Sequence, residues 1–272
     1  MKDIILELHD MRYLNWTRTR KSSGTAGSFL KAYSEVGKKK IYYKLSDSDP
    51  IKGIIGHECV NEIIVQRLLS LLGIEHLEYT LVHALVTFDG KEYETYLCQS
   101  EDFKEDGETK VTMEDYYEME KLDDELPFDF CIRKGWGRYI YEMLLIDYLV
   151  LNRDRHGANI EVLRNKKNKS DRLAPLFDHG LSLACRCHSK DDLKTFDVME
   201  DKKVQCFVGS SSTKENIELI PKEFFDTLPE LRENDFDILF DGLDGVIGKD
   251  YLRVIRKMIW ERWCSLDSIR NS

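Results

Sequence analysis

The chain contains the stretch Asn152-Arg-Asp-Arg-His-Gly-Ala-Asn159, followed by Pro175-Leu-Phe-Asp-His-Gly180. Asp154 and Asn159 are five positions apart, and Asp178 follows nineteen positions after Asn159. A carboxylate can take a proton from a hydroxyl group, and carboxylate and amide oxygens are ligands for Mg²⁺. Phosphoryl transfer needs both functions: a base beside the attacking hydroxyl and metal ligands beside the phosphates. The two stretches together therefore predict a phosphoryl-transfer site.

The segment before this polar loop is almost continuously apolar over residues 143–151, and its lead-in from Tyr139 has a helical pattern. Apolar residues on every side predict a helix that is buried all round. Such a helix would deliver the loop 152–159 to the end of a packed element.

The residues between the two stretches predict a hairpin. Ile160, Val162 and Leu163 indicate a strand, residues 165–171 a charged tip, and residues 173–177 the returning strand. This hairpin would bring Asn159 and Asp178 side by side, where both could hold one or two Mg²⁺ ions. A solvated loop with two unrelated aspartates is the alternative, and the joint pattern favours phosphoryl transfer.

Composition limits the class of protein. The chain has 272 residues, of which 42% are hydrophobic and 33% charged, which allows one large domain or two lobes with a real core. No segment approaches the ~20 apolar residues of a membrane span, and the charged N-terminus is unlike a secretory signal. Seven scattered cysteines favour a reducing cytoplasm, with a secreted effector as the alternative. The net charge of −10 argues against direct nucleic-acid binding.

Charge is distributed unevenly along the chain. Residues 101–126 hold twelve acidic residues against three lysines, a local charge of −9. A composition shift of this size predicts a boundary between two lobes. We therefore predict an N-terminal lobe over residues 1–101 and a C-terminal lobe over residues 102–272.

The N-terminal lobe has a loop rich in Gly, Ser and Thr over residues 17–28. Glycines let the backbone approach phosphates closely, and exposed N–H groups bind anions. We predict that Gly24, Thr25, Ala26 and Gly27 bind the nucleotide phosphates. A flexible hairpin loop is the alternative, because Gly-x-x-Gly is a weak motif.

A lysine follows this loop at the spacing expected for nucleotide binding. Residues 29–33 and 39–45 have the pattern of paired strands joined by a turn at Gly37, with Lys44 on the second strand. A lysine there can reach the phosphates, although it could also protect an edge strand. Residues 54–73 predict a helix, in which Glu62, or else Glu58, would hold Lys44. Surface glutamates are the alternative.

The remaining elements complete both lobes. Residues 77–86 and 93–99 predict two strands joined by an Asp89-Gly90 turn. The second strand would place Cys98 and Gln99 at an edge where their backbone could bond a nucleotide base. Residues 220–228, 235–243 and 249–263 predict closing helices.

These residues resemble one known family. The matching features are Gly24-x-x-Gly27, Lys44, the helix 58–74, Asn152-x-Asp-x-His-x-x-Asn159 and Phe177-Asp-x-Gly-x-Ser182. From about residue 15 to the C-terminal helices, the chain resembles HipA-like serine/threonine kinases, particularly the short members. The resemblance implies an α+β, two-lobed protein-kinase-like fold related to phosphoinositide kinases, with a β-rich N-lobe and a mainly helical C-lobe.

The resemblance also implies roles for individual residues. Asp154 would be the catalytic base, His156 would order the catalytic loop and Lys44 would contact the phosphates of ATP. Asn159 and Asp178 would bind Mg²⁺.

Further expectations concern substrates and partners. The resemblance implies a protein substrate with a Ser or Thr acceptor, and autophosphorylation of the glycine loop at Ser22, Ser23, Thr25 or Ser28. A toxin–antitoxin role with a cognate antitoxin is a further possibility, whereas the DNA binding of longer family members is not carried over. Two alternatives are a small-molecule or lipid kinase and an inactive nucleotide-binding or partner-binding module.

Overall fold

The computed structural model describes residues 3–17, 29–37, 39–49 and 51–270 of the chain. The strands are β1 (Ile4–Asp10), β2 (Lys31–Val36), β3 (Lys39–Leu45), β4 (Ser48–Asp49), β5 (Gly53–Ile54), β6 (Tyr79–Phe88), β7 (Lys91–Glu101), β8 (Glu108–Thr112), β9 (Asp154–Arg155), β10 (Glu161–Asn165), β11 (Ser170–Leu173) and β12 (Gln205–Cys206). The α-helices are α1 (Glu58–Leu71), α2 (Met113–Glu120), α3 (Pro127–Arg133), α4 (Gly137–Val150), α5 (Lys190–Thr195), α6 (Thr213–Ile217), α7 (Lys222–Phe225) and α8 (Lys249–Arg270), with 3₁₀ helices at Gly157–Asn159 and Glu233–Phe240.

The larger sheet is the centre of the N-terminal part. Within the described residues it has five strands in the order β1-β6-β7-β3-β2, and β1 alone runs parallel to its neighbour. Strands β6 and β7 meet at Asp89-Gly90, whose φ angles of 52° and 75° suit the tight hairpin turn that the sequence predicts. The paired strands β2 and β3 and the Gly37 turn are also confirmed.

Helix α1 crosses one face of this sheet. It begins four residues later than predicted, because Gly53–Ile54 pairs with Ser48–Asp49 in a small hairpin. The C-terminal end lies near Gly73, whose φ of +69° is the left-handed conformation common after helices. Along the helix every residue from Glu58 to Leu69 is buried, so α1 lies inside the protein rather than on its surface.

The second sheet lies in the C-terminal part and includes a strand that the sequence analysis missed. Its order is β11-β10-β8, so the predicted hairpin is confirmed, but its returning strand is Ser170–Leu173 and not the predicted residues 173–177. Strand β8 and helix α2 arise from the acidic run 101–126, for which no element was predicted. Thr112 ends β8 and caps α2 by accepting the N–H of Asp115.

Among the residues that the structure describes, the hydrophobic core has two clusters, one on each face of the larger sheet. Val82, Ala84 and Leu97 belong to a small cluster on one face. Leu81 and Cys98 belong to the main cluster, which also contains α1, α4 and α8. The main core therefore joins the helix of the N-terminal part to the helices of the C-terminal part. None of the helices in the described part of the chain combines the length and apolar character needed to cross a bilayer.

Candidate active site

Helix α4 leads directly into the polar loop 152–159. The helix ends because Leu151 adopts the left-handed conformation, with φ of 51°. The side-chain oxygen of Asn152 then accepts the backbone N–H of Asp154 at 3.2 Å, and its amide group donates to Asp147 at 2.8 Å. A buried helix with a polar terminus thus fixes the start of the loop.

A buried ion pair holds the middle of the loop. Arg155 donates to both carboxylate oxygens of Asp147 at 3.0 Å, and the two side chains are 1% and 7% exposed. Another guanidinium nitrogen donates to the carbonyl oxygens of Asn159 at 3.1 Å and of Phe177 at 3.0 Å. Arg155 therefore ties the loop to the residue immediately before Asp178. Bidentate pairing of this kind is what makes a buried charge tolerable.

Asp154, Asn159 and His156 form one cluster. The amide nitrogen of Asn159 donates to the carbonyl oxygen of Asp154 at 2.7 Å and lies 3.4 Å from its carboxylate. His156 Nε2 is 3.5 Å from the same carboxylate, and its Nδ1 accepts the N–H of Ala158 at 3.1 Å. The predicted role of His156 in ordering the loop matches these contacts, and its effect on activity stays a prediction.

The Asp-His-Gly turn lies against α1. Asp178 has a φ of +57°, an unusual conformation for a residue other than glycine. Glu62 accepts the N–H groups of His179 at 2.8 Å and Gly180 at 3.0 Å. Gly180 approaches α1 so closely that an added Cβ would lie 2.9 Å from the Cβ of Glu58. The turn therefore requires glycine at this position.

Lys44 joins Glu62 to Asp178. Its Nζ lies 3.1 Å from Glu62 Oε1 and 2.5 Å from Asp178 Oδ1. Burial lowers the pKa of Lys44, but the two carboxylates outweigh burial and hold that pKa well above its ordinary value. Lys44 is consequently a fixed positive charge at neutral pH. Glu58, the other predicted partner, instead accepts the N–H of Asp47 at 3.0 Å.

These groups border a cavity of about 590 Å³ between the two sheets. Lys44, Asp178 and Ala158 are among its lining residues. At another part of the wall Lys110 pairs with Asp102 at 2.8 Å and stacks over the ring of Phe103 at 3.8 Å. The cavity thus combines a charged end with an aromatic wall, and its volume lies in the range of small-molecule sites.

The predicted edge position of Cys98 and Gln99 is wrong. Strand β7 lies inside the sheet, and both residues pair with β3 on one side and β6 on the other. Their backbone groups are therefore used by the sheet and are not presented at an edge. The Cys98 side chain lines the cavity, and residues 100–103, which follow, line its wall. Strand length alone could not reveal this, because the register depends on both neighbouring strands.

The glycine-rich loop lies outside the described residues. This applies to Gly24, Thr25, Ala26 and Gly27 and to the candidate phosphorylation sites Ser22, Ser23, Thr25 and Ser28. Its flanks are described: Thr17 pairs with Lys31, and Lys44 Nζ lies 5.0 Å from the ring centre of Phe29. Phe29, the first described residue after the loop, therefore lies near Lys44.

Comparison with known proteins decides the fold. Neither a sequence profile of a known family nor a characterised protein sequence matches the chain. The structure does resemble the crystal structure of a Helicobacter pylori proinflammatory kinase, CtkA, with a TM-score of 0.59 and 17% sequence identity. The match covers 93% of each chain. This chain has a kinase fold.

The kinase fold confirms the predicted α+β class, with its β-rich N-terminal and mainly helical C-terminal parts, and the predicted resemblance at the level of the fold. The larger sheet ends at Glu101, and the smaller sheet begins at Glu108. The boundary between residues 101 and 102 remains a prediction, because α1 shares its core with the C-terminal helices.

The residues present fit a magnesium ion. Asn159 is 1% exposed, and its side-chain oxygen has no hydrogen-bond partner among the described residues. A buried oxygen of this kind normally finds a partner. Carboxylate and amide oxygens are the ligands that Mg²⁺ prefers, so Asn159 and Asp178 are suited to hold it.

Two supporting contacts were missed from the sequence. The Asp147–Arg155 pair had a usable signal, since Asp147 is the single charged residue within the apolar run 143–151. The other contact is a buried chain from α8. Tyr251 donates to Asn61 at 2.7 Å, and Asn61 donates to the carbonyl oxygens of Gly180 and Ser182, each at 3.0 Å. No local sequence pattern predicts this contact, because Asn61 and Tyr251 are 190 positions apart.

Proposed function

We propose that the chain is an ATP- and Mg²⁺-dependent kinase that phosphorylates serine or threonine hydroxyls of proteins. One observation carries the proposal: buried contacts hold Lys44, Asp178 and the Asp154–Asn159 loop together, and Lys44, Asp178 and Ala158 of that loop line one cavity. Glu62 fixes the lysine and the Asp-His-Gly turn together, and Arg155 fixes the loop to Phe177, the residue before that turn. Phosphoryl transfer is catalysed mainly by such positioning and by charge stabilisation.

Each group has a role in this chemistry. Lys44 neutralises charge on the nucleotide phosphates and is held in place by Glu62. Asp154 accepts the proton of the attacking hydroxyl, and His156 and Asn159 hold its carboxylate and backbone. Asn159 and Asp178 hold the metal, which when bound neutralises charge on the phosphate oxygens.

The glycine loop is the proposed site of autophosphorylation. Ser22, Ser23, Thr25 and Ser28 precede Phe29, whose ring lies 5.0 Å from Lys44 Nζ. A hydroxyl of the loop can therefore come within reach of the phosphate that Lys44 binds. The resemblance to HipA-like kinases extends the proposal to a toxin kinase with a cognate antitoxin as its partner.

The test is phosphosite mapping with purified protein. Wild type and Asp178→Asn are incubated with labelled ATP, Mg²⁺ and a cell lysate, and labelled products are identified by mass spectrometry. We expect phosphoserine or phosphothreonine on lysate proteins and on residues 22–28 with wild type, and none with the variant. Label confined to small molecules or lipids would instead indicate a kinase of that class. Labelling by neither protein would indicate an inactive nucleotide-binding module.

A further inference from the structure

A second cavity, of about 810 Å³, is lined by Asp154. It shares no lining residue with the cavity that contains Lys44 and Asp178. The proposed base therefore lines the second cavity and not the first. One has the features of a nucleotide site, and the other lies where an acceptor hydroxyl must approach Asp154.

The second cavity is rich in positive charge. Its cationic lining residues are Arg153, Arg186, Lys202 and Lys203. This is unusual in a chain of net charge −10. Besides Asp154, the one carboxylate in its lining belongs to Asp192, which accepts the N–H groups of His188 and Ser189 at the start of α5.

Most of this positive charge is not neutralised by the protein. Arg153, Arg186 and Lys203 have no ion-pair partner among the described residues, and the Nε of Arg153 is buried without a hydrogen-bond partner there. Lys202 pairs with Glu200 at 3.0 Å, and the Glu200 side chain is 52% exposed. A cation with an unused buried donor is costly unless a ligand supplies an acceptor.

The cations are held at fixed positions beside the loop. Strand β12 pairs with β9. The N–H of Gln205 donates to the carbonyl oxygen of Arg153 at 3.0 Å, and the N–H of Phe207 donates to the carbonyl oxygen of Arg155 at 2.9 Å. Just before this strand, Asp201 accepts the N–H of Thr213 at 3.1 Å. The segment that carries Lys202 and Lys203 is therefore anchored at both ends.

We propose that this cavity binds the polypeptide segment around the acceptor hydroxyl and selects carboxylate side chains that flank it. The inference rests on the proposed kinase function and specifies its substrate class. Opposite charge attracts the segment and fixes its register, while Asp154 in the same cavity receives the hydroxyl. A general nucleic-acid site fits less well, because the charge of the whole chain repels polyanions.

The experiment compares three peptides that share one central serine and differ in their flanks, which are acidic, alanine or basic. Phosphorylation rates and binding of fluorescently labelled peptides are measured in parallel at low salt. We expect kcat/KM and affinity to fall in the order acidic, alanine, basic. Arg186→Ala and Lys203→Ala should each reduce the acidic-to-alanine ratio by about two- to fivefold, as expected for exposed charge pairs. The double variant Arg186→Glu/Lys203→Glu should prefer the basic peptide.

Lys257→Ala is the matched control, because this lysine is 63% exposed and does not line the cavity. It should keep the wild-type ratio. If wild type phosphorylated all three peptides at equal rates, the kinase activity would be supported and the acidic-segment proposal would be overturned. The same conclusion would follow if both alanine variants kept the wild-type ratio, or if a short RNA displaced the acidic peptide and bound more tightly. The binding measurement keeps the charge preference observable even if no peptide is phosphorylated.

Discussion

His179, at the centre of the Asp-His-Gly turn, is 2% exposed, and its Nε2 has no hydrogen-bond partner among the described residues. Burial lowers the pKa of His179 well below its ordinary value, and the charge of Arg155 adds to this effect. The unfolded chain, with an ordinary histidine pKa of 6.5, therefore binds the proton first. His179 must destabilise the folded state progressively as the pH falls below that value.

We predict that His179→Phe reduces the acid sensitivity of the fold. When the pH falls from 7.5 to 5.5, His179 should lower the unfolding free energy of the wild type by about 1.4 kcal/mol. The variant should not show this loss. Urea unfolding at both pH values measures the difference. His57 is partly buried and also has a lowered pKa, so part of the pH dependence should persist. His9→Phe, at an exposed strand position, is the control, and an identical pH dependence in wild type and His179→Phe would contradict the prediction.

Arg155 allows a second prediction for a single residue. Arg155→Met leaves the carboxylate of Asp147 buried without its partner, so we expect a loss of about 3–5 kcal/mol of unfolding free energy. Arg138→Met makes the same change at the Arg138–Glu142 pair of α4, the helix that carries Asp147. There the arginine is 75% exposed. That control should cost at most about 0.5 kcal/mol. Equal midpoints for the two variants in urea unfolding would show that the buried pair is not the stabilising feature.

Among the elements, α8 supports the Asp-His-Gly turn through α1. Tyr251 on α8 and Asn61 on α1 are 2% and 0% exposed, and the tyrosine hydroxyl donates to the asparagine oxygen. Because Asn61 also donates to the carbonyl oxygens of Gly180 and Ser182, a change at Tyr251 reaches the turn through one side chain.

We predict that Tyr251→Phe lowers the unfolding free energy by about 1–3 kcal/mol, because it leaves a buried acceptor on Asn61 without its donor. The phosphorylation rate should fall as well, since the turn that holds Asp178 loses support. Tyr33→Phe, at a tyrosine that is 58% exposed, should change neither quantity. If Tyr251→Phe matched that control in both measurements, the link from α8 to the turn would be irrelevant.

The sequence could predict those elements whose signal is local. The polar loop 152–159, the Asp-His-Gly triplet, the β2–β3 and β6–β7 hairpins and the apolar helix before the loop each occupy a short segment with its own pattern. Strand β8 and helix α2 were missed, because strong acidity at residues 101–126 obscured the Thr112 cap, and helix α3, which follows this run, was missed as well.

Features of the site that depend on distant residues could not be predicted in the same way. Glu58 and Glu62 lie one helical turn apart, and only the packing of α1 against the turn at Gly180 decides which one reaches Lys44. The inner position of Cys98 in the sheet likewise depends on two partner strands.

At the scale of the whole molecule, the two parts share one core. Val60, Ile63, Ile64 and Leu68 of α1 pack in the main cluster with α4 and α8. Arg67 also donates to the carbonyl oxygens of Leu239 at 3.1 Å and Asp241 at 2.8 Å. The C-terminal part therefore depends on a helix that lies before the predicted boundary.

We predict that a fragment of residues 102–272 does not fold on its own. Without α1 it would expose a large apolar surface and leave the backbone acceptors of Leu239 and Asp241 without Arg67. Circular dichroism should show no cooperative thermal transition for the fragment, whereas the full chain should unfold in a single transition. A cooperative transition in the fragment would show that the lobes are independent domains.

The central claim is that Asp154 is the base of a phosphoryl-transfer site shared with Lys44, Asn159 and Asp178. The most direct measurement is the phosphorylation rate of purified wild type and Asp154→Asn with ATP and Mg²⁺, alongside the melting temperature of each. The account predicts a fall in kcat of about 10²- to 10⁴-fold in the variant, with an unchanged melting temperature. Equal rates in the two proteins would contradict it.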